Sequence, residues 1–95
     1  MQHPKTIDRI QDLLKIFSHP TRLKIIDLLL DGECYVDQIC KRLNMQQSTI
    51  SHQLKLLRKR NVVKTKREGK RIYYTLKDEH VATIYKMARD HVLEC

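Results

Sequence analysis

Glycine and proline are scarce, two of each in 95 residues, and this sparseness describes a compact and mostly helical chain. Long apolar runs are missing too. The longest are interrupted by Lys24, Asp27 and Asp31, far below membrane-spanning length, and no signal-peptide pattern is expected at the start. A paired cysteine framework is also absent: Cys34, Cys40 and Cys95 are odd in number and form no CxxC. Free thiols in a reducing cytoplasm are therefore expected rather than a disulfide scaffold. Acidic residues are outnumbered, 11 against 19 Lys and Arg, for a formal charge of +8. Nucleic acid is the partner this balance favours, and an anionic membrane surface is the competitor. The length fits one domain over residues 1–95, too small for a large enzyme cleft but sufficient for a modest core, particularly if dimerisation adds buried surface. No internal boundary, repeat or low-complexity segment divides it.

His3 stands third from the first residue, where with a free amine it can hold square-planar copper or nickel, but the plainer reading, a frayed terminus, is the one preferred. From Lys5 to Ser18, Ile7, Ile10, Leu14 and Phe17 recur at helical spacing on one side, so a first helix is expected to pack against a partner chain. His19 and Pro20 interrupt it. TRLKIIDLLL then starts a second helix, apolar nearly all round and hence central, which Asp31 and Gly32 end. Val36, Ile39, Cys40 and Leu43 mark a short third helix, and Asn44 and Met45 form a turn into a fourth from about Gln46 to Arg60. Two short helices joined by such a turn make a helix-turn-helix. In the fourth, Ile50, Leu54 and Leu57 form the inward stripe, while Gln47, Ser48, Ser51, His52 and Lys55 gather on the other side. These outward residues can enter a major groove and bond base edges or phosphates, yet most surface helices carry a polar face.

The next segment adds weight. Val62 to Arg67 and Arg71 to Leu76 are β-rich, with Ile72, Tyr74 and Leu76 alternating inward, and Glu68, Gly69 and Lys70 join them into a hairpin wing. Between Arg58 and Arg71 eight basic residues (Arg58, Lys59, Arg60, Lys64, Lys66, Arg67, Lys70 and Arg71) accompany one acid, Glu68. Such density is the footprint of phosphate contact, the alternative being a merely solvated hairpin.

The last stretch, DEHVATIYKMARDHVLE from Asp78 to Glu94, reads as one helix capped by Asp78, with Val81, Ile84, Tyr85, Ala88 and Val92 on one face. Metal-capable residues sit at both ends, Asp78 with His80 and His91 with Glu94. His80 and His91 are eleven positions apart, nearly one side of a helix but roughly 16 Å apart along its axis. One helix cannot close them on one ion. A second copy laid antiparallel across the apolar face would bring Asp78 and His80 of one chain to His91 and Glu94 of the other, twice by symmetry. The reading is a homodimer with two intersubunit sites, each of two imidazoles and two carboxylates, suited to tetrahedral Zn(II) and also to Co(II) or Ni(II). The plainer reading is an amphipathic helix with solvated His and Glu.

Taken together, GECYVDQICKRLNMQQSTISHQLKLLRKRNVV, REGKRIYYTL and the Asp-x-His, ten residues, His-x-x-Glu pattern of the last helix resemble the ArsR/SmtB family of metal-responsive bacterial repressors. The likeness runs from about Ile10 to Glu94, with SHPTRLKIIDLLL similar to that family's central helix and QSTISHQLKLL to its recognition helix. It implies a mainly α winged helix-turn-helix: four helices, a β-hairpin wing and a C-terminal dimerisation helix, in a bacterial, cytoplasmic homodimer. It implies zinc sensing through Asp78, His80, His91 and Glu94. It also implies that the metal-free dimer binds a palindromic operator and is released when two Zn(II) bind. Ser48, Ser51 and His52 would then read or position bases, flanked by Gln47 and Lys55, while Lys64, Lys66, Arg67, Lys70 and Arg71 hold phosphates. The resemblance further places His91 where a metal-bound histidine couples to the DNA-binding region, with Asn61 as the receiving residue.

One departure is clear. Where cadmium-, lead- or arsenic-sensing members carry Cys-x-Cys, this chain has Tyr35 and Asp37, and Cys34 and Cys40, six residues apart, cannot chelate together from one helix. They read as core thiols, with a thiol or persulfide sensor as the alternative, and Cys95 either substitutes as a soft ligand or is a chain end. A ligand-independent architectural DNA-binding protein would share the charge and the wing. A zinc hydrolase would need an open coordination position, which four protein ligands do not leave, and no small-molecule substrate is expected.

Overall fold

The computed structural model describes residues 4–94, so the readings placed on His3 and Cys95 lie outside the described residues. Helix α1 (Pro4–Ile16) leads into α2 (Pro20–Leu29), whose start is set locally. His19 stays extended, Pro20 occupies the first turn, and His19 Nδ1 accepts the Thr21 N–H at 3.2 Å, satisfying a donor that every helix start leaves without a partner. From there α2 runs through the centre. Ile25 and Ile26 are wholly buried and Leu29 nearly so.

A two-residue strand, β1 (Cys34–Tyr35), precedes α3 (Val36–Leu43). Gln38 Oε1 accepts the Tyr35 N–H at 3.1 Å and closes the start of α3. Asn44 ends it in the left-handed region (φ 54°), where the Met45 N–H bonds the Cys40 carbonyl at 3.0 Å and turns the chain sharply into α4 (Gln47–Lys59). Helix α4 buries Ile50, Leu54 and Leu57 completely. At its far end Asn61 is also left-handed (φ 61°), and the Val62 N–H reaches back to Leu57 O at 2.9 Å. The hairpin follows as β2 (Val63–Glu68) and β3 (Arg71–Leu76), with Glu68 opposite Arg71 across a two-residue turn led by Gly69 at φ 61°. Finally comes α5 (Glu79–Leu93).

The wing is a three-stranded antiparallel sheet in the order β1-β3-β2, not a hairpin alone. Cys34 faces Tyr74 and Tyr35 faces Tyr73 across β3. Two residues are too few to show alternation in sequence, and this strand exists because β3 supplies the partner. On the core side Tyr74 and Leu76 pack inward as their spacing requires. Ile72 does not: it is 38% exposed, because it pairs with Arg67 on the part of the hairpin that overhangs the core.

The two terminal helices also depart from a uniform reading. Of the expected first-helix stripe only Phe17, just past the end of α1, packs on the core, which Leu13 and Ile16 of α1 also join, while Ile7, Ile10 and Leu14 stay exposed. In α5 Val81 and Ala82 are buried and Ile84 and Tyr85 half-buried, but every residue from Lys86 to Glu94 is exposed, Ala88 and Val92 included. Tyr85 marks the junction, its hydroxyl donating to Asp27 Oδ1 on α2 at 2.9 Å. Of seven large apolar side chains exposed among the described residues, six belong to α1 and α5. Such a concentration marks a surface that another molecule covers. No helix among the described residues is long and apolar enough to cross a membrane.

The left-handed turn at Asn44 sets the angle between α3 and α4. Asn44→Gly should retain stability, whereas Asn44→Val should lower it by about 1–2 kcal/mol, since a β-branched residue is strained at positive φ. Urea unfolding of both variants at one fixed protein concentration measures the difference.

Candidate nucleic-acid interface and metal positions

Helices α3 and α4 form the helix-turn-helix, and the burial of Ile50, Leu54 and Leu57 rolls the opposite side of α4 outward. Gln47, Ser48, Ser51, His52 and Lys55 are accordingly all exposed on one helix. Their short polar side chains can bond base edges, and Lys55 adds a charge for a phosphate. The five basic wing residues, Lys64, Lys66, Arg67, Lys70 and Arg71, are exposed as well.

Two of those five are engaged within the protein. Lys66 Nζ lies 3.0 Å from a Glu68 carboxylate oxygen and 3.5 Å from one of Glu33. The hydrogen bond to Glu68 and the charge of Glu33 push the Lys66 ammonium up from its ordinary range, so it stays charged but is partly neutralised. The Arg71 guanidinium lies over the Tyr35 ring, 4.3 Å from its centroid, and Tyr35 meets Tyr73 edge-on at 5.5 Å. This stack fastens the wing to the start of α3. The sequence marks Tyr35 only as standing where related sensors carry a cysteine, and its place in this stack depends on strand pairing that its neighbours do not reveal. Gln53 was missed. It falls between Ile50 and Leu57 on the inward arc, buried, and accepts a hydrogen bond from Arg22 Nε at 2.9 Å. Marking every residue on that arc, polar ones included, would have found it.

The metal-capable residues occupy the two ends of α5. Asp78 caps the helix through Oδ1, which accepts the Val81 N–H at 3.1 Å, and its Oδ2 lies 3.7 Å from His80 Nδ1. The first of these holds the Asp78 carboxyl below the usual carboxylate range, partial desolvation opposing and the His80 imidazole adding to it. One oxygen therefore serves the backbone while the other faces an exposed imidazole, and a carboxylate beside an imidazole is a donor pair that fits a divalent cation. His91 is in the last turn and Glu94 at the C-cap, both exposed. Within one protomer, no three His, Cys, Asp or Glu side chains among the described residues come together for a metal ion. Asn61 lines a cleft of about 530 Å³ with Thr6, Arg9, Ile10, Asp12, Leu13, Lys59 and Arg60, and no lining residue belongs to α5.

The thiols are poorly set for reactivity. Cys34 is buried on β1 and Cys40 half-buried on α3. Desolvation pushes both thiols up, outweighing the Arg42 guanidinium 3.8 Å from Cys34 Sγ, and a reactive thiolate needs the reverse.

Residues 19–65 match the family described as bacterial regulatory protein, arsR family. Over 92 residues the chain is 34% identical to the transcriptional repressor SmtB homolog of Synechocystis sp., covering 94% of this chain and 70% of that one. Over 94 residues it is 35% identical to the cadmium resistance transcriptional regulatory protein CadC homolog of Staphylococcus aureus, covering 98% and 75%. Its fold is similar to the homodimeric winged helix-turn-helix DNA-binding domain Mb0332 of Mycobacterium bovis, with a TM-score of 0.89 and 30% identity over 99% of this chain and 90% of that one.

Because the Asp78 carboxyl is depressed in the folded state, its contribution to stability is complete above the ordinary Asp pKa and is lost as pH falls through the lower folded value. Asp78→Ala should lower the unfolding temperature at pH 7. The gap to wild type should close as pH drops through that window, a comparison that circular dichroism melts at a series of acidic pH values provide.

Proposed function

The chain belongs to the ArsR family of bacterial regulatory proteins, and from that premise we propose that it is a transcriptional repressor that binds an operator as a homodimer and releases it when a metal ion binds between the subunits. It is a regulator of transcription and not an enzyme, as are the relatives it matches. The CadC homolog is by its name a cadmium resistance regulatory protein, which supports a metal as the effector here. Zn(II), two per dimer, is the ion that the donor set suits best, with Co(II) or Ni(II) as substitutes.

The observation that carries the proposal is the exposure of α5 from Lys86 onward, together with a half-set of ligands at each end of that helix. A second copy laid over the exposed half of the helix would cover Ala88 and Val92 and unite Asp78 and His80 of one protomer with the partner's His91 and Glu94. Imidazole and carboxylate donors then hold the cation, which supplies fixed charge and directional bonds across the interface. Only a ligand that binds the two conformations of the dimer unequally can shift them, and typical couplings are about 1–3 kcal/mol, or roughly 5–150-fold in affinity. Ser48, Ser51 and His52 face the bases in this reading, with Gln47 and Lys55 beside them. Lys64, Arg67 and Lys70 meet phosphates, and Lys66 and Arg71 contribute to the extent that Glu68, Glu33 and Tyr35 release them. Neighbouring recognition helices enter successive major grooves about 34 Å apart. His91 carries the coupling toward Asn61, and since Asn61 lies beside α1, that step involves the assembled dimer.

Zinc titration of the dimer on its operator should lower affinity by a factor within roughly 5–150, reversed by chelator. His91→Asn should keep metal-free operator binding and lose the response in the same gel-shift titration. Unchanged regulation would refute the role of His91, and a wild-type affinity indifferent to zinc and chelator would identify an architectural DNA binder instead.

A further inference from the structure

Gln53 is the buried polar side chain of the core among the described residues, 9% exposed on an arc otherwise made of Ile50, Leu54 and Leu57. An amide at such a place loses its hydration and gains nothing from apolar neighbours. Its compensation is directional: Oε1 accepts Arg22 Nε at 2.9 Å. Arg22 lies in the first turn of α2, next to Thr21, whose N–H is held by His19 Nδ1 at 3.2 Å. The bond therefore ties the middle of the recognition helix to a helix start that is itself capped.

Directionality matters because of what α4 must do. Apolar contacts from Ile50, Leu54 and Leu57 hold α4 against the body, but burial is non-directional and resists a small roll about the helix axis only weakly. A roll of about 10° moves a polar atom about 6 Å from the axis by about 1 Å. Hydrogen bonds to base edges span only a few tenths of an ångström in length, so such a roll breaks them. Phosphate contacts from long Lys and Arg side chains absorb it. Helix roll thus governs sequence discrimination far more than attraction to DNA as a polyanion.

We propose that Arg22 and Gln53 are positioning residues that set the roll of the recognition helix, and through it the preference for operator over other DNA. This rests on the reading above that Ser48, Ser51 and His52 face bases. Neither residue touches DNA in that role. Glutamine is replaceable here by any residue that keeps an acceptor at the same reach.

The test uses the full-length dimer. Wild type selects its preferred duplex from a random-sequence pool, and fluorescence anisotropy then measures binding to that duplex and to a scrambled one at one salt concentration. Gln53→Met keeps size and helix propensity but removes the acceptor, and Gln53→Glu keeps an acceptor. Arg22→Lys keeps the charge but not the guanidinium Nε and, being half-buried, serves equally if the methionine variant does not fold. In Gln53→Met and Arg22→Lys the preference for the selected duplex should fall about tenfold or more while scrambled-duplex affinity stays within about twofold, and Gln53→Glu should retain the preference. A folded Gln53→Met or Arg22→Lys dimer with the wild-type preference overturns the proposal, as does an equal loss on both duplexes, which a merely structural role would produce. Failure of wild type to select any sequence overturns the DNA-reading function itself and is distinguishable from either.

Discussion

Helix α5 extends beyond the body that it packs on, and that mismatch governs the rest of the structure. Val81 and Ala82 seat its first turn in the protomer's own core, Tyr85 pins it to Asp27 of α2, and from Lys86 onward the same helix presents Met87, Val92 and Leu93 to the outside. A chain of 95 residues has little surplus core with which to cover such apolar surface. The exposed Ile7, Ile10 and Leu14 of α1 pose the same problem. Burying both surfaces against a second copy resolves it. In the proposed function, the dimer and an intersubunit metal site would answer one constraint, since the candidate ligand half-sets sit at the ends of the helix that would be shared.

The side that carries α4 and the wing is built differently. There Ile50, Leu54 and Leu57 of α4 are wholly buried within the protomer, Leu56 partly so, and the exposed residues of α4 are polar or basic. Directional contacts hold this side in place: the Asn44 turn between α3 and α4, the Arg22 to Gln53 bond, and the Arg71, Tyr35 and Tyr73 stack that fixes the wing to α3. A reading head needs its geometry prepared before DNA arrives, because base contacts tolerate little misplacement. A regulatory helix needs surface left over for another subunit to act on. The two halves of the protomer divide these requirements between them.

Charge follows the same division. The formal +8 is not a uniform coat, for Lys66 is compensated by Glu68 and Glu33, Arg71 is drawn onto Tyr35, and Arg60 lies 4.0 Å from Asp12 of α1. Exposed ion pairs of this kind contribute little to stability. Their effect is to decide which cations present themselves to a phosphate without first leaving a partner.

Helical spacing and turn chemistry carry strong local information, so the order of helices, the helix-turn-helix, the β-rich wing and the capping role of Asp78 were legible from residues alone. So was the inward stripe of α4, because Ile50, Leu54 and Leu57 recur with the helix period. What depends on partners distant in the chain was not legible. β1 exists only against β3, Ile72 is exposed because the hairpin overhangs the core, and the α1 stripe divides according to what lies beneath it. Gln53 lies on the inward arc of α4, but the partner that compensates its buried amide, Arg22, is 31 residues away and could not be read from its neighbours. Periodicity thus determined which elements form and which chemistry each displays, since both are set within a few residues along the chain. Tertiary structure alone decided which of those side chains remain available, because burial and hydrogen bonding between distant segments are settled only when the elements meet.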